Sequence, residues 1–243
     1  MKKRTLLPFL VCAISAGALL RPLNAAPASD PAAYALLKSA YQTRQTLPEN
    51  FTGLDATVTF TEGTQTATGT FHYRDGEKPA LEIAGVSDDN KTWIAHNARS
   101  ILVHRTSRNF DEADGAHPLQ FGKSADHAPG KLIVHADEPN LSSRVVNGKI
   151  SELVRNESNW WLTISVQKTI SADKGKYLNT DYTVAYHDKD TGALQRVDIF
   201  HDTYKRINKV WLPASRESIS FGKDYIPRQR TLHFSDIKLV LKK

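Results

Sequence analysis

The stretch Leu54-Asp55-Ala56-Thr57-Val58-Thr59-Phe60-Thr61 decides the fold class of this 243-residue chain. Apolar and polar side chains alternate strictly along it. Successive side chains of a β-strand point to opposite faces, so the pattern predicts a strand with one buried face and one face in water. Strands of this kind belong to an antiparallel sheet that carries its core on one side.

The same alternation returns along most of the chain. Asn147-Gly148 is a strong signal for a two-residue hairpin turn between two such segments. Every connection after residue 130 is too short for a crossover helix, so these strands should pair antiparallel. Further strands are expected at 67–73, 81–83, 132–134, on both sides of the hairpin turn, and at 160–166, 182–186, 197–199, 210–221 and 230–241.

Two segments carry helix signals instead. Asp30-Pro31 supplies a capping acceptor and a proline at the first helical position, which predicts a helix over 31–44. Ser87-Asp88-Asp89 supplies a capping serine and two acids at the positive helix end, which predicts a helix over 88–106.

These elements predict one α+β domain over residues 30–243. We expect a strongly twisted antiparallel sheet of about ten strands, an open half-barrel, with the two main helices packed on its concave face.

The first 25 residues are typical of a secretory signal peptide. A basic start precedes an apolar stretch that is short for a membrane span, and small residues follow. We expect cleavage after Ala25, with Ala28 as the alternative, and a short tail over 26–29. The prediction is an exported protein, periplasmic or secreted, without a transmembrane anchor after cleavage.

Removal of this segment changes the charge of the chain. Four of the 32 basic residues precede the cleavage site, which leaves 28 basic against 26 acidic residues. Because that balance is nearly neutral, no nucleic-acid partner is expected. The single cysteine, Cys12, would also be removed, so the mature chain would hold no disulfide and no thiolate.

Residues 109–130 show little hydrophobic periodicity and are predicted to form a long loop, a feature that is often functional. Acids and histidines in and after this loop could bind Zn²⁺ or another divalent ion, although their spacing matches no known ligand pattern and a solvated polar loop is the alternative. The residues concerned are Asp111, Glu112, Asp114, His117, Asp126, His127 and His135.

Signatures of common enzyme classes are missing from the sequence. There is no Gly-x-Ser-x-Gly, Ser-x-x-Lys or His-Glu-x-x-His motif, no phosphate-binding glycine loop and no dinucleotide fingerprint. We therefore expect no catalytic residue, no cofactor and no metal site, and a protein that is not an enzyme.

Several segments resemble a family of exported bacterial proteins, the domain-of-unknown-function family numbered 3386. The activity of that family is not established, so no catalytic residue carries over. A wider similarity is to the periplasmic lipoprotein-carrier fold, an open antiparallel half-barrel with helices as a lid, and it rests on Trp211-Leu212-Pro213 and the order of elements. The segments that resemble family 3386 are 40–44, 49–53, 103–105, 110–115, 202–204, 211–216 and 234–239.

This resemblance and the alternating pattern favour a binding or carrier module for a lipid or another amphipathic ligand. His104 and Arg105 could meet an anionic headgroup, and a salt bridge from Arg105 to Asp111, Glu112 or Asp202 is the alternative. Plain core packing is the alternative for the tryptophans, and of the adjacent pair Trp160 and Trp161 one should lie in the core. The remaining candidates for the cavity lining are Val58, Phe60, Phe71, Trp93, Ile101, Trp160, Ile164 and Trp211.

Two other functions stay open at this point. A metal-dependent hydrolase would use the Asp/His residues of 111–135. An adaptor for an envelope protein partner would use an exposed Trp161 and an unpaired sheet edge.

Overall fold

The computed structural model describes residues 28–123, 127–138 and 140–242. The predicted signal peptide, Cys12 and Asp126 lie outside these residues. The helices are α1 (Pro31–Gln42) and α2 (Asp88–Val103), and none of the described helices is long and apolar enough to cross a membrane. The strands are β1 (Phe51–Glu62), β2 (Gln65–Arg74), β3 (Ala80–Ile83), β4 (Leu119–Phe121), β5 (Lys131–His135), β6 (Ser142–Val146), β7 (Lys149–Glu157), β8 (Trp160–Ser171), β9 (Tyr177–Asp188), β10 (Leu194–Ile207), β11 (Val210–Phe221) and β12 (Pro227–Leu241).

All twelve strands form one open sheet, in the order β3-β2-β1-β12-β11-β10-β9-β8-β7-β6-β5-β4. Every pair is antiparallel, as predicted. The expected number of about ten strands was slightly low. β4 accounts for the clearest omission, because a three-residue strand is too short to show an alternating pattern.

The prediction that residues 109–130 form one long loop is therefore wrong in part. It holds β4 and two single 3₁₀ turns, Phe110–Glu112 and Asp114–Ala116. Phe110 is buried, and Asn109 caps the first turn by accepting from the backbone N–H of Asp111 at 3.1 Å. One aromatic side chain thus anchors a segment whose sequence is otherwise polar.

Local signals placed the helix starts and the hairpin correctly. Asp30 accepts from the backbone N–H of Ala32 and Ala33 at 2.8 and 3.2 Å, and Ser87 accepts from that of Asn90 at 3.2 Å. Asn147 and Gly148 connect β6 to β7 with φ of 49° and 72°, the left-handed values that such a turn requires. Helix α2 ends at Val103, earlier than expected.

Both helices lie on the same face of the sheet, here called the inner face. The α2 core contains Val58 and Leu232, and the α1 core contains Ile133. Directly opposed residues on neighbouring strands share a face, and such pairs connect the two cores across the whole sheet. The connecting residues are Val58, Phe234, Leu232, Arg216, Asp202, Phe200, Tyr182, Val166, Ile164, Leu153, Ser143 and Ile133.

The two cores cover opposite ends of this face. Helix α2 buries Ile94, Ile101 and Leu102 against β1, β2, β11 and β12. Helix α1 buries Leu37 with Phe110 against β4 to β7. Each fully buried aliphatic side chain contributes about 1.5–3 kcal/mol, so each helix is held mainly by its apolar stripe.

A buried ion pair fastens α2 to the middle of the sheet. Arg216 on β11 binds Asp202 on β10 through Nε and Nη2 at 2.8 and 2.7 Å, and both side chains are at most 2% exposed. Nη1 of Arg216 donates to Ser100 Oγ at 2.9 Å and to the Asn97 carbonyl at 3.2 Å on α2. Nη2 also donates to the Tyr182 hydroxyl on β9. The guanidinium therefore joins three strands and a helix.

We expect Asp202→Asn to lower the free energy of unfolding by about 3–5 kcal/mol, because it leaves the Arg216 charge buried without its counter-charge. Urea unfolding measures the change. Asp181→Asn is the matched control: it removes the carboxylate of the half-exposed His201–Asp181 pair at 2.7 Å and should cost about 0–1 kcal/mol. If Asp202→Asn does not fold, Tyr182→Phe serves instead, with an expected loss of about 1–3 kcal/mol. Equal losses at Asp202 and Asp181 would contradict this account.

Candidate ligand-binding groove

An uncovered apolar strip lies on the inner face between the two cores. Its floor is formed by Leu162, Ile164 and Val166 of β8, which are all half-buried. Val184 and Tyr186 of β9 lie directly opposite two of them on the same face. None of these five side chains belongs to either core. The strip and its walls are here called the inner groove.

One wall of the inner groove is formed by α2. His96, Ser100 and His104 are spaced four residues apart and therefore share one side of the helix. The contact of Ser100 with Arg216 directs this side toward β10 and β9. His96 and His104 are both exposed to solvent.

The pKa values of these two histidines are both lowered. Desolvation, followed by the charges of Arg216, Arg44 and Arg108, lowers the pKa of His104 to about 4. Desolvation and then Arg216 and Arg196 also lower the pKa of His96. Both shifts favour the neutral imidazole, because burial and nearby positive charge disfavour the protonated ring.

The opposite wall is built by α1 and the turns that follow α2. Tyr41 packs against Phe110 with 5.6 Å between ring centroids, and the Arg44 guanidinium lies 5.4 Å from the Tyr41 ring. Arg44 Nη2 donates to the carbonyl of His104 at 2.7 Å. Arg44 therefore bridges the two walls at one end of the inner groove.

Positive charge accumulates at this end. Arg155 lies on the inner face of β7 opposite Leu162 and binds Asp114 at 3.2 Å. Burial, followed by the nearby Arg44, lowers its pKa. Among the described residues, no carboxylate lies within salt-bridge distance of Arg44. This end of the groove is suited to an anionic group.

Arg105 occupies a different place from the one expected. It is only 6% exposed, donates from Nη2 to the Trp211 carbonyl at 2.7 Å, and lies 5.0 Å from the Tyr204 ring. Its Nε and Nη1 have no hydrogen-bond partner among the described residues. The predicted alternative salt bridges are not formed, because the three acids have other partners. Asp111 pairs with Lys38, Asp202 with Arg216, and Glu112 accepts from Asn109.

The other predicted lining residues divide between the core and the groove. Val58, Phe60 and Phe71 are completely buried beneath α2, and Ile101 of α2 is 2% exposed in the same core. Trp93 packs half-buried on Phe60, with ring centroids 5.9 Å apart. For these five residues, ligand contact stays a prediction that would require α2 to move.

Trp160 and Ile164 lie on the inner face of β8, where Ile164 is part of the groove floor and Trp160 lies at the start of the same row. Trp160 is 37% exposed and Trp161, on the other face, is half-buried, so the expectation that one of the pair lies in the core is wrong. The reason is that no helix covers β8. Trp211 is half-buried, and its carbonyl accepts a hydrogen bond from Arg105.

Sequence reasoning missed four floor residues, Leu162, Val166, Val184 and Tyr186. Their alternation was visible in the sequence, but nothing in it shows which strands the helices leave uncovered.

The acids and histidines of 111–135 do not form one cluster. Asp111 binds Lys38 Nζ at 2.8 Å and the Tyr34 hydroxyl, and His127 is exposed. Asp114, His117 and His135 do approach one another, together with Asp137, which the sequence had not singled out.

These elements define an α+β protein with one open antiparallel sheet and two helices on one of its faces. The chain belongs to the family of proteins of unknown function DUF3386, whose model matches residues 28–240. The resemblance found in the sequence is thus confirmed. No curated protein matches the chain.

Three solved structures are similar to the chain at low identity. An outer membrane lipoprotein-sorting protein domain from Vibrio parahaemolyticus has 9% identity and a TM-score of 0.31, over 86% of this chain and 92% of that one. A LolA superfamily protein from Nitrosomonas europaea has 10% identity and a TM-score of 0.29, over 87% of this chain and 94% of that one. A DUF1329 family protein from Desulfovibrio piger has 9% identity and a TM-score of 0.28, over 86% of this chain and 92% of that one. TM-scores this low carry no argument about function.

We expect the His104 imidazole to stay neutral at pH 6 and to titrate near pH 4 in an NMR titration of the folded protein. The unfolded ring titrates near 6.5, so its contribution to stability is present above pH 6.5 and is lost as the pH falls toward 4.

Variants separate the causes of this shift. Arg108→Gln should raise the pKa of His104 by removing one nearby charge, while Arg196→Gln, which acts on His96, should leave it unchanged. Titration of His104 near 6.5 in the unmodified protein would contradict the effect of burial and nearby arginines on this imidazole.

Proposed function

We propose that this protein is a binding or carrier module, not an enzyme, and that it holds an acyl chain or a similar amphipathic ligand in the inner groove. The observation that carries the proposal is the half-buried apolar row Leu162, Ile164 and Val166 of β8, which lies between two helix-covered cores and belongs to neither. In this proposal the sheet curves as an open half-barrel around the ligand, and α1 and α2 act as its lid.

The size of the hydrophobic effect supports an alkyl ligand. Burial of a methylene group contributes about 0.8 kcal/mol, so a chain lying along Leu162, Ile164 and Val166 gains several kcal/mol before the costs of binding. The same contact would remove these half-exposed side chains from water.

The cationic end of the groove supports an anionic headgroup. Arg44 and Arg155 could pair with a carboxylate or a phosphate, for which the planar guanidinium is well suited. In this arrangement the alkyl chain lies along β8 and the headgroup lies near the C-terminal end of α2.

Export, as the N-terminal sequence predicts, would place this activity in the periplasm or outside the cell. Amphipathic molecules there need a protein that shields their alkyl chains from water during transfer, which is what an open groove with a lid offers.

An adaptor for an envelope protein partner is the second candidate. The observation that favours it is the turn between β11 and β12, where Tyr225 and Ile226 are 77% and 63% exposed. The sheet edges favour it less, because β3 and β4 have only four and three residues and such short edges resist pairing.

Binding of cis-parinaric acid, followed by its fluorescence, tests the groove. We expect the unmodified protein to bind the probe and Ile164→Gln to weaken binding about tenfold, which corresponds to about 1.4 kcal/mol. Ile199→Gln is the matched control, because Ile199 is 41% exposed and lies opposite Thr183 on the outer face. Absence of binding, or equal loss in both variants, would contradict the proposal.

Native mass spectrometry of the full chain, produced with export, gives a second test. Added mass that extracts into organic solvent would support the carrier function and identify the ligand class. A bare protein mass, together with no probe binding, would favour the adaptor instead.

A further inference from the structure

A compact group of nitrogen and oxygen donors lies at the β4 edge of the sheet. His117, His135 and Asp137 each offer one ligand atom, and these atoms lie within 4.8 Å of one another. His117 Nδ1 and Asp137 Oδ2 are 2.8 Å apart, and the two imidazole centroids are 4.9 Å apart.

Strand pairing brings these donors together. Leu119 of β4 lies opposite His135, the last residue of β5, and the backbone N–H of Ala136 donates to the Pro118 carbonyl at 2.7 Å. His117 precedes β4, and Asp137 follows β5 by two residues. The group therefore joins two segments that meet only through a three-residue strand.

His135 is the independent sign of a ligand. It is 2% exposed, and neither ring nitrogen has a hydrogen-bond partner among the described residues. The nearest carboxylate oxygen, Asp114 Oδ1, is 3.8 Å from Nε2. A buried imidazole with both nitrogens unsatisfied is destabilising, and a coordinated ion would satisfy one of them.

We propose that His117, His135 and Asp137 bind one Zn²⁺ ion. Two imidazoles and one carboxylate are a donor set that Zn²⁺ accepts, in tetrahedral geometry with bonds of about 2.0–2.2 Å. Ligand atoms in such a site are about 3.3 Å apart, so the widest separation would close by about 1.5 Å. A water molecule takes the fourth position, because Asp114 is already engaged by Arg155.

The ion would act as a clamp on the α1 side of the inner groove. Helix α1 is tied to β4 through the backbone N–H of Asp30, which donates to the Leu119 carbonyl at 2.7 Å, and Leu119 is completely buried beneath α1. Fixing His117 to the end of β5 would hold β4 in the sheet and keep this wall in place.

The test is Zn²⁺ binding to the full chain, purified without a histidine tag and dialysed against a chelator. Isothermal titration with ZnCl₂ and elemental analysis measure affinity and stoichiometry. We expect one ion per chain and a higher melting temperature with Zn²⁺ than without it. Cobalt(II) in place of zinc should give the strong visible absorption of a tetrahedral site.

Two variants at accessible ligands keep the test independent of folding. Asp137 and His117 have side chains 41% and 35% exposed, so Asp137→Asn and His117→Ala should fold and should each weaken Zn²⁺ binding at least tenfold. His201→Ala is the matched control, because the His201–Asp181 pair is 2.7 Å apart but is not part of the three-donor group. This control should bind Zn²⁺ like the unmodified protein.

The proposal is overturned if the unmodified protein binds no Zn²⁺ at micromolar concentration, or if His201→Ala loses as much affinity as His117→Ala. Retained tetrahedral cobalt absorption in Asp137→Asn and His117→Ala would overturn it as well.

Discussion

The buried pair of Arg216 and Asp202 is the constraint on which the rest of the structure depends. Moving two charges out of water costs several kcal/mol for each ion, and the attraction between them offsets this only when the remaining donors are also satisfied. Here α2 and Tyr182 supply those partners, through Ser100, the Asn97 carbonyl and the Tyr182 hydroxyl. The charge of Asp202 raises the pKa of Arg216, so the guanidinium stays ionised despite its burial. Helix α2 cannot shift along the sheet without leaving these donors unpaired.

The position of α2 leaves the middle strands open. After β3 the chain must reach the opposite edge of the sheet before it can form β4, and α2 with the turns that follow it makes this crossing on the inner face. Helix α1 covers β4 to β7 at the other end of the same face. The two helices do not cover the strip over β8 and β9. The polar side of α2, which carries His96 and His104, faces this strip. One arrangement thus produces both the stable cores and the groove.

The features that the sequence predicts correctly are those that depend on short-range interactions. Strand alternation, the Asp30 and Ser87 caps and the Asn147-Gly148 turn depend on neighbours within a few residues, and the structure confirms each of them. The burial of Val58 and Phe71 beneath α2, and the exposure of Trp160, depend on which strands a distant helix covers. Asp137 escaped notice because its closeness to His117 depends on the pairing of β4 with β5, and β4 is too short to leave a pattern.

The sequence by itself determined that this protein is an antiparallel sheet with a one-sided core and two capped helices, because period-two alternation and capping are local consequences of backbone geometry. It also contained the segments that assign the chain to its family. Only the tertiary structure decided that Leu162, Ile164 and Val166 of β8 stay half-buried between the two cores, that Arg44 joins the two groove walls, and that two histidines and an aspartate converge beside β4. Those arrangements come from residues far apart in the chain, whose contacts exist only once the sheet order and the helix positions are fixed.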